Sequence, residues 1–242
     1  MAARLEDERT VRRSEERTTV DRTEGRVRVN HWVTAISLIL LALSGLALFH
    51  PSMFWLTSLF GGGSMTRMLH PWIGVVLIAS FTILFLQVVK HNIWNRSDSA
   101  WLRHIGDAMS GNEENLPEIG RYNAAQKLIF WSMALIILIL FGSGLVIWYE
   151  YFGASFTIEQ QRIGHIVHAL AAVAIMLVVI VHIYAAFYVR GTLSSMTEGK
   201  VTGGWAFRHH RRWLREEARK GVIDERQKPP PGRPSIGIRP AE

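Results

Sequence analysis

Four long apolar runs alternate with charged segments along this chain of 242 residues. They extend over residues 32–49, 72–89, 128–148 and 166–189, and none of them contains Asp, Glu, Lys or Arg. Each run is long enough to cross a hydrocarbon layer of about 30 Å as an α-helix, which satisfies its own backbone hydrogen bonds. The pattern therefore predicts an all-α membrane protein built as a bundle of four transmembrane helices.

The segments outside these runs set the domain boundaries. Residues 1–29 mix eight Arg with seven Asp or Glu and lack the apolar core of a signal peptide, which predicts a disordered cytoplasmic tail. Residues 30–190 form the predicted four-helix domain. Residues 191–227 form a basic amphipathic cytoplasmic segment that could lie on anionic lipid, and residues 228–242 a disordered proline-rich tail.

The distribution of positive charge predicts the orientation. Segments 1–30, 90–127 and 190–242 carry 25 of the 27 Lys and Arg, leaving Arg67 and Arg162 for the other two connections. Because Lys and Arg accumulate in segments retained in the cytoplasm, we expect a multi-pass protein of the cell inner membrane with both termini cytoplasmic. We attribute the net charge of +7 to the cytoplasmic segments, where it sets the orientation and attracts anionic lipid, and we expect no nucleic acid partner.

The chain contains no cysteine. This excludes disulfides, iron–sulfur clusters, thioether-attached haem and thiolate zinc sites within it. Any redox metal that the chain holds must therefore use other ligands.

Four histidines sort into two pairs by depth. His168 and His182 are 14 residues apart, so a helix places them about 21 Å apart along its axis and within about 40° of the same face. The predicted topology places His70 level with His168 at the outer rim, and His31 level with His182 at the inner rim. Two facing imidazoles suit the axial positions of a six-coordinate b-type haem. The two pairs therefore predict two haem b groups in the bundle.

Other interpretations of the histidines stay open on this pattern. His165 or His50 could replace a ligand of the outer pair, and a single histidine near a helix end is often only an interfacial polar group. The histidines could also conduct protons without haem, although proton relays usually include Asp or Glu and the runs contain none. The remaining histidines fall in connections or tails, where we expect solvated side chains: His91, His104, His209 and His210.

Small residues occur in three of the runs. Ser44 and Gly45, Gly74, and Gly142 with Gly144 would let a flat ring or a second helix approach the backbone closely.

Local strings match one known family over about residues 26–215. They are "RVNHW", "LTSLFGGGSMTRMLHPWIG", "KHNIW", "GNEENLPEIGRYNAAQKLIFW", "IVHALAA", "VHIYAAFYVRGT" and "MTEGKV". Together they resemble the γ subunits of respiratory formate dehydrogenases, the membrane cytochromes b556.

The resemblance implies an electron path. A periplasmic molybdenum or tungsten α subunit oxidises formate, and an iron–sulfur β subunit passes electrons to the outer haem, held here by His70 and His168. The inner haem, held by His31 and His182, then reduces a quinone near the cytoplasmic face, contributing to a proton-motive force.

The resemblance also implies a quinone pocket, for menaquinone or ubiquinone, that includes Asn123 and Gln126 close to His182. Asn123 could equally be the N-cap of the third membrane helix. Two further functions remain open: a cytochrome b membrane anchor of a hydrogenase or another periplasmic oxidoreductase, and a haem-free proton-conducting membrane protein.

Overall fold

The computed structural model describes residues 19–110, 116–189 and 191–220, which belong to two compact units. Of these residues, 24–94 and 124–189 form the membrane unit, and 19–23, 95–110, 116–123 and 191–220 form the second unit. The helices are α1 Gly25–Phe49, α2 Gly63–Val88, α3 Arg96–Arg103, α4 Ile105–Ser110, α5 Ala124–Ile147, α6 Tyr149–Phe152, α7 Ile158–Tyr188, α8 Ser194–Thr197, α9 Gly203–His209 and α10 Arg211–Arg219. The strands are β1 Thr19–Asp21 and β2 Lys200–Thr202, and 3₁₀ turns cover Pro51–Phe60, Val89–His91 and Gly153–Ser155.

Helices α1, α2, α5 and α7 are each long and apolar enough to cross a membrane, which confirms the predicted four-helix membrane architecture. Each covers one of the apolar runs to within one residue of its end, but each begins several residues before its run. Hydropathy detects only the part of a helix that lies in hydrocarbon, whereas the helix itself continues into polar surroundings. His70 consequently lies inside α2 rather than at its end.

Local sequence explains where these helices begin and end. Helix α1 stops at Phe49 because the next residue, His50, precedes Pro51 and adopts an extended conformation. The following 3₁₀ turn ends at Gly61, whose φ of 85° lies in the left-handed region that favours glycine. A capping box, in which Thr157 and Gln160 bond each other's backbone N–H, starts α7.

The membrane unit consists of two helix pairs. Helix α1 packs along α2, and α5 packs along α7, while α2–α5 and α1–α7 contacts join one pair to the other. The core between them contains the buried residues Leu77, Phe81, Ala134, Ile137 and Ile175. Large apolar side chains elsewhere on these helices point outward, as expected for a surface that meets lipid.

The second unit includes a two-stranded sheet that the sequence did not predict. Strand β1 pairs antiparallel with β2, and the opposed Val20 and Val201 are only 3% and 2% exposed. Residues 19–29, placed by the sequence in a disordered tail, thus form β1 and the start of α1. The pairing partner is remote in sequence, so local composition could not reveal it. Residues 1–18 of that predicted tail lie outside the described residues.

The basic amphipathic segment forms α9 and α10. Its apolar residues Trp205, Ala206, Trp213 and Leu214 are buried within the second unit. The face that the sequence offered to lipid is therefore used for packing in the protein. Residues 221–227 of this segment and the tail 228–242 lie outside the described residues.

Arg22 occupies the centre of the second unit. Its guanidinium carbon lies 4.8 Å from the ring centroids of both Trp205 and Trp213, a cation–π contact with each ring. Its Nη2 donates to the Arg121 carbonyl at 2.5 Å, and Arg121 donates back to the Arg22 carbonyl. Burial lowers the pKa of Arg22 to about 9, so the side chain stays cationic at neutral pH.

His210 is held in one tautomer by two neighbours. Its Nδ1 lies 2.8 Å from the Gly120 carbonyl oxygen, which only accepts, so Nδ1 carries the proton. Nε2 then accepts from Arg22 Nη2 at 3.2 Å. Burial, followed by the nearby Arg22 charge, holds the pKa of His210 well below 6.5.

We expect the second unit to lose stability on acidification. The pKa of His210 is lower in the folded state than in the unfolded state, so the unfolded chain takes up the proton first. The contribution of His210 is therefore complete above about pH 6.5 and is lost as the pH falls below that value. The loss is measured as a decrease in the amide hydrogen-exchange protection factors of residues 191–220 between about pH 7 and about pH 5.

The variant His210→Gln removes the titrating group and should flatten this pH dependence. His104→Gln, at an exposed position, is the matched control and should leave it unchanged. Protection that increases as the pH falls, or an identical pH profile in His210→Gln, would contradict the expectation.

Candidate functional site

The imidazoles of His31 and His182 face each other between α1 and α7. Their ring centroids are 6.3 Å apart and the ring planes differ by 50°. The Nδ1 atom of His31 is buried and has no hydrogen-bond partner among the described residues. The pair predicted for the inner side is thus brought together in the membrane unit.

The imidazoles of His70 and His168 face each other between α2 and α7. Their centroids are also 6.3 Å apart, with the ring planes 70° apart. Helix α2 continues through Pro71, which directly follows His70 and has no N–H to bond the Arg67 carbonyl. Both pairs therefore join one helix pair to the other, and α7 contributes a ring to each.

The spacing of the rings fits a shared metal ion. An imidazole nitrogen ligates a first-row metal at about 2 Å and the ring centroid lies about 1 Å behind it, so two axial rings have centroids about 6 Å apart. Both observed distances of 6.3 Å agree with this value. A direct hydrogen bond between the two rings would bring the centroids closer than this.

The donor set also restricts the kind of metal site. The described residues contain no group of three or more His, Cys, Asp or Glu that could hold a metal ion. A pair of histidines supplies only two ligands, so the remaining positions must come from a group that brings its own donors. A porphyrin supplies four in one plane and leaves two axial positions for imidazole, so the residues present fit haem.

Two glycines line the His70–His168 pair. A Cβ atom added at Gly45 would lie 3.4 Å from Cε1 of His70, and one added at Gly144 would lie 3.5 Å from Cε1 of His168. By contrast, a Cβ at Gly74 or Gly142 would meet nothing within 4 Å. Gly45 and Gly144 are therefore the predicted small residues that contact a ring, whereas Gly74 and Gly142 leave open space.

Gly45 and Gly144 each directly follow a serine, and that serine contacts the same histidine as the glycine. Ser44 Oγ lies 2.7 Å from His70 Nδ1, and Ser143 Oγ lies 3.1 Å from His168 Nδ1. The sequence pattern indicated Ser44 only as a small residue and did not single out Ser143. The repeated Ser-Gly dipeptide at 44–45 and 143–144 is the signal that could have indicated both.

The alternative ligands of the outer pair have local partners instead. His50 accepts from the Ser52 backbone and caps the 3₁₀ turn, and Nδ1 of the exposed His165 donates to the Gln161 carbonyl. The ring that packs against His70 belongs to His168.

Histidines outside the membrane helices have varied surroundings. His104 is exposed and bonds the Ala100 carbonyl, whereas His210 is buried, contrary to the solvated position that the sequence predicted. His210 departs from that expectation because the sheet and the tail helices enclose it. Burial lowers the pKa of His209, and the charge of Arg208 lowers it further.

The residues predicted for quinone binding lie where α5 starts. Asn123 immediately precedes α5, and Gln126 lies in its first turn. One residue further along, Lys127 is 3% exposed and donates through Nζ to the Ile93 carbonyl at 2.9 Å. Trp131 Nε1 donates to the Asn92 carbonyl at 2.9 Å, which attaches the segment after α2 to α5. The sequence pattern did not predict these two attachments.

Comparison with known proteins identifies relatives along most of the chain. A family described as prokaryotic cytochrome b561 matches residues 22–199. The chain is 44% identical over 200 residues to the formate dehydrogenase cytochrome b556(fdo) subunit of Escherichia coli K12, covering 83% of this chain and 94% of that protein. It is 39% identical over 189 residues to the nitrate-inducible cytochrome b556(Fdn) subunit of the same organism, covering 78% and 87%.

A third relative is the formate dehydrogenase cytochrome b556 subunit of Haemophilus influenzae, which is 35% identical over 190 residues, covering 78% of this chain and 80% of that protein. These matches confirm the resemblance stated from the sequence strings. They also agree with the haem-compatible geometry of the histidine pairs.

Proposed function

Because the chain belongs to the prokaryotic cytochrome b561 family and is similar along most of its length to formate dehydrogenase cytochrome b556 subunits, we propose that it is the membrane cytochrome b subunit of a formate dehydrogenase complex. It carries electrons from an iron–sulfur β subunit to a quinone, while formate is oxidised at a molybdenum or tungsten site in an α subunit. The observation that carries the proposal is the presence of two histidine pairs with the same 6.3 Å ring separation.

Haem b supplies reversible one-electron transfer when bound. His70 and His168 would hold one haem, and His31 and His182 the other. The α7 helix fixes the distance between the two sites, because His168 and His182 are 14 residues apart, which is about 21 Å along the helix axis. The apolar side chains of the bundle exclude water from the space between the sites.

The distribution of Lys and Arg gives the proposed orientation in the cell inner membrane. The proposal places both termini in the cytoplasm, since 25 of the 27 Lys and Arg lie in the segments assigned to that side. His70 and His168 then lie toward the periplasm, where the iron–sulfur subunit delivers electrons. His31 and His182 lie toward the cytoplasm.

Quinone reduction takes place on the cytoplasmic side in this proposal. A quinone becomes a quinol by taking up two electrons and two protons. Asn123 and Gln126 take part in binding it, an assignment that rests on the match of "RYNAAQK" to the family strings. Their amide groups can donate hydrogen bonds to the quinone oxygens. Menaquinone and ubiquinone both meet this requirement.

This arrangement separates charge across the membrane. Moving one electron inward across the membrane changes its free energy by about 2.3 kcal/mol for each 100 mV of membrane potential. Protons are released where formate is oxidised and are consumed where the quinone is reduced. The chain thereby contributes to a proton-motive force without carrying protons itself.

We expect the purified full chain to contain two b-type haems that can be removed one at a time. His70→Ala should lose one haem and His182→Ala the other, because each removes from a different pair a histidine that would hold the haem. Haem content by pyridine haemochrome and reduced-minus-oxidised spectra measure both losses.

The variant His165→Ala is the matched control, since this histidine lies on α7 close to His168 but bonds the Gln161 carbonyl of its own helix. Retention of both haems in His70→Ala or His182→Ala would refute the corresponding pair. A folded wild-type chain without haem would refute the proposed function.

Substitution of the ring-contacting glycines should remove the same haem as His70→Ala. In Gly45→Val and Gly144→Val the added Cβ already contacts Cε1 of His70 or His168, so the two further methyl groups should crowd the ring that would hold the haem. Gly74→Val and Gly142→Val are matched controls, because a Cβ at these positions meets nothing within 4 Å. Equal haem loss in all four variants would show that helix packing, and not ring contact, is responsible.

Loss of the amide at Gln126 or Asn123 should slow quinone reduction without loss of haem. We expect Gln126→Ala and Asn123→Ala to reduce the rate roughly tenfold, as expected for one hydrogen bond to the substrate. The measurement is formate-dependent quinone reduction by the purified complex, with haem reduction by dithionite recorded in parallel.

Gln161→Ala, in the first turn of α7, is the matched control for this experiment. An unchanged rate in both amide variants would remove these residues from the quinone site.

A further inference from the structure

We propose that Ser44 and Ser143 are positioning residues for His70 and His168: each serine hydroxyl accepts a hydrogen bond from Nδ1–H and thereby leaves Nε2 of the ring free to ligate iron. The inference rests on the proposed function, because it assigns this pair of histidines to a haem. It adds a cause for the tautomer and orientation of both rings, and it predicts a difference in redox behaviour between the two haems.

The tautomer of His70 follows from the bonds of Ser44. A serine hydroxyl has one proton to donate, and Ser44 Oγ donates it to the Leu40 carbonyl at 2.8 Å. At 2.7 Å from His70 Nδ1 the same oxygen can therefore only accept. The proton of a neutral His70 ring then lies on Nδ1, and the lone pair lies on Nε2.

The tautomer of His168 follows in the same way on the other helix pair. Ser143 Oγ donates to the Ile139 carbonyl at 2.6 Å, and it lies 3.1 Å from His168 Nδ1. The Leu140 carbonyl, 3.3 Å from Ser143 Oγ, is a second acceptor for this ring. Nδ1 is again the donor and Nε2 is again free. Ser44 is fully buried and Ser143 is 8% exposed, so water competes little with either bond.

The glycine after each serine sets the position of the ring. Gly45 and Gly144 place bare backbone beside Cε1 of His70 and His168, at 3.4 and 3.5 Å from the position a Cβ would take. Cε1 lies between the two ring nitrogens. Each Ser-Gly dipeptide thus binds one nitrogen and supports the adjacent ring edge, which limits rotation about the bond from Cβ to the ring.

The other histidine pair lacks this arrangement at His31. Its Nδ1 is buried without a hydrogen-bond partner among the described residues. A ligand imidazole whose N–H is hydrogen-bonded is more basic and stabilises the more positive, ferric state of the iron. The haem between His70 and His168 should therefore have the lower midpoint potential, which favours electron flow toward the His31–His182 pair.

The test is a redox titration of the full chain with its bound haems, following the visible absorption bands of each. Ser44→Ala and Ser143→Ala should each raise the midpoint potential of the haem held by His70 and His168. At a given potential, the ratio of its reduced to its oxidised form should increase about fivefold. The double variant should raise it further. The other haem should titrate as in the wild type.

Ser80→Ala is the matched control. Ser80 is a buried serine in the same bundle that donates to the Leu77 carbonyl and accepts from Thr34. Its removal should leave both potentials unchanged. Ser44→Thr and Ser143→Thr keep a hydroxyl and should retain the wild-type potential, which separates loss of the acceptor from a defect in folding.

Low-spin ferric signals in electron paramagnetic resonance give a second reading that does not depend on activity. A change in the g values of one haem is expected in the alanine variants, because the ring orientation is less restricted. Two bound haems with wild-type potentials and g values in the double alanine variant would overturn the serine proposal. A wild-type chain with fewer than two haems would instead overturn the proposed function beneath it.

Discussion

The structure depends on the pairing of imidazole rings inside an apolar bundle. Polar groups at membrane depth are costly when they have no partner, and the membrane unit brings four of the five histidines in its membrane helices together in twos. Each pair has ring centroids 6.3 Å apart, too far for a direct bond and suited to a metal between them. Helix α7 contributes to both pairs because His168 and His182, 14 residues apart, lie on nearly the same face. One helix thereby determines the distance between the two sites.

The two helix pairs provide the same surroundings for two of these rings. On α1 a Ser-Gly dipeptide faces His70 of α2, and on α5 a second one faces His168 of α7. The absence of a side chain at the glycine allows the ring to approach the neighbouring backbone. His31 has no such dipeptide at its Nδ1 among the described residues, so rings at equal distances have unequal environments. Equal geometry therefore does not imply equal redox properties.

Periodic features of the sequence predicted the parts of the fold that depend on one helix at a time. Hydropathy located the four membrane helices, and helical periodicity matched the histidines by depth, so His70 was correctly expected to face His168. The strand pairing of Val20 with Val201 could not be predicted, because it joins residues remote in the chain. The amphipathic pattern of the tail was visible, but the same pattern serves a lipid surface or a protein core, and here Trp205 and Trp213 are buried in the protein.

The serine contacts were invisible for a related reason. A serine in a membrane helix usually bonds only the carbonyl four residues earlier, as Ser143 bonds that of Ile139, and the sequence does not show whether its oxygen also meets a ring. The Ser-Gly repeat becomes meaningful only once α5 is known to pack along α7. The same limit applies to Lys127, whose contact with the Ile93 carbonyl depends on where the chain runs after α2.

The choice of serine as the partner of a ligand histidine follows from the surroundings. In a water-soluble protein a carboxylate can accept the Nδ1 proton, but a carboxylate within the bundle would bring a charge into the membrane. A helix carbonyl has a second lone pair and can also accept from a ring, as that of Gln161 accepts from His165, but its position is fixed by the hydrogen-bond ladder. The hydroxyl of Ser44 satisfies its own donor at Leu40 within its own turn, carries no net charge, and still offers a lone pair to His70. A neutral acceptor whose donor is already satisfied orients the ring at the smallest cost that this environment allows.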